Sequence, residues 1–120
     1  MTEDVLDRFS GATAEWFRRS FPAPTEAQRG AWDAISTGQH TLVVAPTGSG
    51  KTLAAFLWSL DRLSTAPPPT DPQHRCRVLY ISPLKALGVD VERNLRAPLV
   101  GIGHAAESLG QPRPDIRVGV

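Results

Sequence analysis

The sequence predicts a three-layer α/β domain built on a right-handed parallel sheet. Two observations favour it. Short apolar runs bounded by turn residues alternate with amphipathic helical patterns, and a glycine-rich turn joins one such run to the helix after it. Apolar residues form 41% of the 120-residue chain, which is enough for one modest core and therefore for one domain. Only three strands are predicted, so the sheet is expected to be incomplete in this chain.

The N-terminal third of the chain is expected to be helical. Short helical patterns cover residues 4–9 and 13–21, and the second carries aromatic residues at spacings that suit a core. Two prolines then interrupt the pattern. Thr25 is a good N-cap, and Gln28 follows at the spacing of a capping box, so the next helix is predicted over residues 26–36.

The remainder of the chain alternates predicted strands and helices. Residues 41–45 form an apolar run typical of a parallel strand buried on both faces, and the helix after the glycine turn is predicted over residues 51–64. Residues 77–82 form the second predicted strand, Pro83 begins the next helix, and residues 116–120 form the third strand. The end of the helix that begins at Pro83 is not defined by the sequence, because three residues that disfavour helix follow: Pro98, Gly101 and Gly103.

Charge and cysteine content exclude several classes of protein. The formal charge is only +1, so no overall positive field attracts nucleic acid or a membrane surface, and any such contact must be local. The single cysteine excludes an internal disulfide. The N-terminus lacks the basic and apolar regions of a signal peptide, and the longest apolar stretch near the glycine turn is too short to span a bilayer. A cytoplasmic protein without a membrane contact is expected.

The glycine turn matches the phosphate-loop (Walker A) pattern, with alanine at the first glycine position. Glycines at 48 and 50 let successive backbone amides point at one cluster of oxygen atoms, and the N-terminus of the following helix adds positive dipole there. Lys51 would bring an ammonium group to the β and γ phosphates, and the Thr52 hydroxyl would ligate Mg²⁺. The alternative is an ordinary glycine turn with a solvated lysine. The candidate phosphate-binding residues are Thr47, Gly48, Ser49, Gly50, Lys51 and Thr52.

Three segments resemble the motifs of a known enzyme family. "FPAPTEAQ", "APTGSGKT" and "YISPLKALGVDVERNL" are similar, in order and spacing, to the Q motif, motif I and motif Ia of superfamily 2 helicases, and the last looks closest to the large helicase-related (Lhr) DExH-type DNA helicases. The resemblance implies a P-loop NTPase (RecA-like) fold. It also implies that residues 1–120 are the N-terminal part of the first ATP-binding lobe, with a Q-motif region over 1–37 and a strand-helix core over 41–120.

By that resemblance, Gln28 would recognise adenine, because its carboxamide offers both a donor and an acceptor. The spacing from Thr25 alone favours a capping box instead, and the two roles can coexist in part. An aromatic residue before this glutamine commonly packs near the base in the family. Phe21 or Phe9 could serve, although core packing explains either ring equally well.

The resemblance also implies a nucleic-acid contact at motif Ia. Ser82 and Pro83 place a helix N-terminus where a phosphate could bind, and Lys85 adds a charge in the first turn. The alternative for Lys85 is a solvated helix face. The implied partner is single-stranded DNA, or a DNA/RNA duplex with a single-stranded tail. The resemblance also implies movement in the 3′-to-5′ direction and a setting in DNA repair.

The parts that hydrolyse ATP in such helicases are missing from the 120 residues. No apolar strand ends in Asp-Glu, and neither a second lobe nor its arginine finger is present. The chain alone is therefore expected to contain no catalytic residue, to be inactive by itself, and to act with the remainder of the helicase in cis. The alternatives are a small P-loop phosphotransferase and a nucleotide-binding module without catalysis.

Overall fold

Four α-helices form the framework of the computed structural model, which describes residues 4–46, 50–67, 69–81 and 86–119. They are α1 (Gly11–Ser20), α2 (Glu26–Ser36), α3 (Lys51–Thr65) and α4 (Ala86–Ser108), with short 3₁₀ helices at Val5–Arg8 and Pro72–His74. In the described ranges, no helix combines the length and apolar character needed to cross a membrane.

The predicted N-terminal helices are confirmed. The segment predicted at residues 4–9 is the 3₁₀ helix, whose start is capped because the Asp4 side chain accepts a hydrogen bond from the Leu6 amide at 3.0 Å. The pattern at 13–21 belongs to α1, and α2 has the predicted bounds. Both bonds of the capping box between Thr25 and Gln28 are present, so the sequence signature fixes the start of α2.

One apolar core joins the N-terminal helices to α3 and α4. At its centre the Phe9 ring contacts Trp32 and Trp58 edge-on, with centroid distances of 5.1 and 5.2 Å. Helix α1 packs on α4 and α2 packs on α3. The buried members of this core are Leu6, Phe9, Ala12, Ala14, Phe17, Trp32, Leu57, Ile102, Ala105 and Ala106.

Helix α4 corrects the prediction for its C-terminal end. The helix passes through Pro98 and both glycines and continues to Ser108, while its predicted start at Pro83 lies outside the described residues. The residues after the proline are in the core, and their burial outweighs the hydrogen bond that Pro98 cannot donate. Gly101 is a packing position rather than a helix end, because a Cβ atom there would overlap the Trp16 indole.

The structure does not confirm the predicted sheet. The described parts of the three predicted strands, 41–45, 77–82 and 116–120, are irregular, and no strand occurs in the ranges that the structure describes. Leu42 and Ile81, expected to be buried, expose 89% and 81% of their surfaces. A parallel strand is buried by neighbouring strands and by helices on both faces, and the described residues supply no neighbouring strand for these segments.

Candidate functional site

The N-terminus of α3 has the geometry expected of an anion-binding helix end. Gly50 is the N-cap in the left-handed conformation (φ 73°, ψ 33°) and supplies no side-chain cap. Its carbonyl accepts the Ala54 amide at 3.0 Å, which begins the helix. Lys51 follows as the first helical residue and is exposed. The positive end of the helix dipole therefore lies beside the exposed Lys51.

Gln28 lies against this helix end. Its side chain is buried, its Oε1 accepts a hydrogen bond from the Thr25 amide at 3.0 Å, and its Nε2 donates to the Gly50 carbonyl at 3.2 Å. A Cβ atom at Gly50 would overlap Nε2 and lie 3.0 Å from Cδ of Gln28. Glycine is thus required at position 50 both for the backbone angle and for the approach of the glutamine.

Trp32 provides a second attachment between α2 and α3. It is completely buried, and its indole Nε1 donates to the Leu53 carbonyl at 3.1 Å, in the first turn of α3. Gln28 and Trp32 are four residues apart on α2, so they share one face of that helix. Trp32 was not predicted from the sequence as part of the site, although its position four residues after Gln28 predicts that both lie on one face of α2.

The structure brings together four of the predicted site residues: Gln28, Gly50, Lys51 and Thr52. The other phosphate-loop candidates lie outside the described residues, as do the predicted nucleic-acid contacts; these are Thr47, Gly48, Ser49, Ser82, Pro83 and Lys85. The predicted roles of these residues stay predictions.

The described residues of this site could bind Mg²⁺ only together with a nucleotide. The Thr52 hydroxyl is a hard oxygen donor of the kind that Mg²⁺ accepts. Across the part of the chain that the structure describes, no group of three His, Cys, Asp or Glu side chains is arranged to hold a metal ion. Phosphate oxygens and water would have to complete the coordination.

The two aromatic candidates for base contact differ in their surroundings. Phe9 is buried between Trp32 and Trp58, which favours core packing as its role. Phe21 is 39% exposed, lies 4.8 Å from the Phe17 ring between centroids, and lines a cavity of about 740 Å³. Gln28 and the described phosphate-loop residues do not line that cavity.

Charged groups at the same cavity are paired with each other. Arg18 contacts Asp7 at 2.9 Å and Asp4 at 3.2 Å. The hydrogen bond that Arg18 donates to Asp7 is the main reason why the pKa of Arg18 is raised. The pKa of Asp4 is lowered, first by the hydrogen bond from the Leu6 amide and also by Arg18. Two carboxylates therefore neutralise the charge of Arg18 at this cavity.

Comparison with known proteins identifies similar sequences. The family model described as DEAD/DEAH box helicase matches residues 25–117. The chain is 63% identical over 117 residues to a Lhr helicase/probable uracil glycosylase of Mycolicibacterium smegmatis, covering 98% of the chain and 8% of that protein. It is 49% identical over 118 residues to the Lhr helicase/uracil glycosylase of Escherichia coli K12, and the match covers 95% of the chain and 8% of that protein. It is 39% identical over 118 residues to an ATP-dependent helicase Lhr-Core of Methanocaldococcus jannaschii, and the match covers 98% of the chain and 14% of that protein. The chain thus spans a small part of each relative.

A solved structure is similar over nearly the whole chain. It is described as Mycobacterium smegmatis helicase Lhr bound to ssDNA and AMP-PNP, with a TM-score of 0.87, 62% identity, and coverage of 98% of this chain and 14% of that one. Together with the family match, this similarity implies a RecA-like fold.

Proposed function

The chain belongs to the DEAD/DEAH box helicase family, and from this premise we propose that it is the nucleotide-binding N-terminal part of an Lhr-type, ATP-dependent DNA helicase. Residues 1–120 would begin the first RecA-like domain, with the Q-motif region at 1–37 and the parallel-sheet core at 41–120. The observation that carries the proposal is the hydrogen bond between Gln28 and Gly50, which joins the resembled Q motif to the head of the phosphate-loop helix.

Gln28 retains the hydrogen-bonding capacity to recognise adenine. A carboxamide has two donor hydrogens and two acceptor lone pairs, and the two side-chain bonds seen here use one of each. The second donor can bind adenine N7, and the second lone pair can accept from the exocyclic amine. Capping of α2 and recognition of the base are therefore compatible in one side chain.

The head of α3 would bind the phosphates. The backbone amides of residues 47–51 and the Lys51 ammonium group would contact the phosphate oxygens, and Thr52 would contact Mg²⁺. When bound, the metal ion neutralises charge on the β and γ phosphates. The AMP-PNP of the similar Lhr structure supports the nucleotide as the ligand.

Single-stranded DNA is the proposed partner, held at Ser82, Pro83 and Lys85, with the rest of the helicase acting in cis. The support is the resemblance to motif Ia and the ssDNA bound in the similar structure. Translocation from 3′ to 5′, a duplex with a single-stranded tail as substrate, a role in DNA repair and a cytoplasmic location complete the proposal.

Replacement of Gln28 with alanine should weaken ATP binding more than GTP binding. The guanine edge cannot satisfy the same donor and acceptor pair. The loss of about 1 to 3 kcal/mol of binding free energy should therefore affect ATP and not GTP. Titrations with both nucleotides measure it, with the exposed Gln39→Ala as the matched control. Equal loss for both nucleotides together with a lowered melting temperature would mean that Gln28 supports the packing of α2 against Gly50 and does not recognise the base.

Replacement of Lys85 with alanine should weaken binding of single-stranded DNA without sequence preference. One lost phosphate contact should reduce the slope of log affinity against log salt by about one unit. The control is Arg19→Ala, which removes the same charge from an exposed pair with Glu15 on α1. An unchanged salt slope in Lys85→Ala would place this lysine on a solvated helix face.

A further inference from the structure

Asp61 is a buried carboxylate that the proposed function does not use. It lies in the middle of α3, with no exposed surface. The Ser10 hydroxyl donates to it at 2.6 Å and the Thr13 hydroxyl at 2.7 Å, while the Ser10 amide donates to both carboxylate oxygens at 3.2 Å. Arg62 supplies the opposite charge at 2.8 Å. A carboxylate buried at this depth is stable only because each of these partners is present.

The groups that bind Asp61 belong to the start of α1. Ser10 is the N-cap of that helix and makes no side-chain cap bond of its own, and Thr13 is completely buried in the first turn. The negative charge of Asp61 thus lies at the positive end of the α1 dipole. Asp61 therefore fixes the beginning of α1 to the middle of α3.

The contacts continue from Ser10 to α2. Phe9 immediately precedes Ser10, and its ring packs edge-on against Trp32 and Trp58. The Arg62 guanidinium that pairs with Asp61 lies over the Trp58 ring, 4.3 Å from its centroid. Asp61 thus binds Ser10, which adjoins Phe9, and Arg62, which lies over Trp58. Through these two residues it contacts the aromatic group that packs against α2.

That face of α2 carries the two bonds to the head of α3. Trp32 donates to the Leu53 carbonyl, and Gln28 donates to the Gly50 carbonyl. A shift of Phe9 would displace Trp32, and Gln28 lies one turn earlier on the same helix. Asp61 is ten residues after Lys51 on the same helix, about 15 Å along its axis, so it does not itself reach a nucleotide there.

We infer that Asp61 is a positioning residue for the nucleotide site. Through Ser10 and Phe9 it holds α2 so that Gln28 stays against the phosphate loop. The inference rests on the proposed function, since it specifies what sets the affinity and base preference of that same site.

The test compares substitutions of Asp61 with a substitution of a neighbouring buried residue. Asp61→Ala removes the anchor, Asp61→Asn keeps one oxygen acceptor for the Ser10 amide, and Leu60→Ala truncates the neighbouring buried residue of a separate apolar cluster. Dissociation constants for MgATP and MgGTP are measured at a temperature where circular dichroism shows every variant folded. Asp61→Ala should weaken MgATP by about tenfold and reduce the preference over MgGTP, as expected for coupling through packed side chains. Asp61→Asn should recover part of the loss, and Leu60→Ala should leave both constants unchanged.

Thr13→Val decides the matter if Asp61→Ala does not fold, because it removes one donor to the carboxylate at nearly constant volume; it should weaken MgATP in the same direction. Equal MgATP affinity for the wild type and every folded variant, despite lowered stability, would show that Asp61 serves the fold alone and would overturn the inference. A folded wild-type chain that does not bind MgATP would instead contradict the proposed function, and the inference with it.

Discussion

Replacement of Lys51 with alanine should weaken MgATP binding by more than about 100-fold and leave the fold unchanged. The side chain is exposed at the first position of α3, so its removal disturbs no core contact. It would lose two charge-assisted hydrogen bonds to phosphate, each contributing about 1.5 to 3 kcal/mol. Calorimetric titration with MgATP measures the loss, and thermal unfolding checks the fold. Lys85→Ala removes the same charge at a position assigned to DNA and should keep MgATP affinity.

The same variant controls a test of hydrolysis. The chain alone should release no phosphate from ATP, with or without single-stranded DNA, because the acidic motif that holds the metal and positions water is absent from its sequence. Phosphate release by the purified chain that disappears in Lys51→Ala would contradict this expectation. It would mean that one of the acidic residues present, such as Asp90, Glu92 or Asp115, acts in catalysis.

Substitution of glycine by alanine should have opposite effects on stability at two helical positions. At Gly101 in α4 the new Cβ atom would overlap the Trp16 indole, and the forced displacement should cost about 1 to 3 kcal/mol. At Gly30 in α2 nothing lies within 4 Å of the new atom, so the higher helix propensity of alanine should stabilise the protein by about 0.5 to 1 kcal/mol.

Denaturant unfolding of both variants measures the difference. The two substitutions add the same methyl group inside a helix, so helix propensity contributes a similar gain at each position. A Gly101→Ala variant as stable as Gly30→Ala would show that α1 and α4 do not pack as closely as the structure indicates. Close packing against Trp16 would then not explain why α4 has glycine at position 101.

Local sequence signals predicted the N-terminal helices well. The capping box of α2 is formed by residues three positions apart, so its spacing alone carried the information. Gly50 was likewise expected to let the backbone turn before α3, and the structure shows it there in the left-handed conformation. These features depend on backbone conformation within one turn, which a sequence pattern specifies directly.

Features that depend on distant contacts were not predicted. Pro98 and the glycines near it left the predicted end of this helix undefined, whereas packing against α1 continues the helix to Ser108. The role of Asp61 was also missed, because Ser10 and Thr13 lie about 50 positions earlier in the chain. The apolar patterns of the predicted strands indicated burial, but what covers a strand is set by its neighbours in space.

The central claim is that Gln28 and the head of α3 form one adenine-nucleotide site. Titration of the ¹⁵N-labelled chain with MgAMP-PNP, followed by NMR, tests it residue by residue. We expect the backbone amides of Gly50, Lys51 and Thr52 to shift together with the side-chain amide of Gln28, along one binding curve. Shifts confined to the cavity beside Phe21 and Arg29, with the amides of residues 50–52 unchanged, would contradict it.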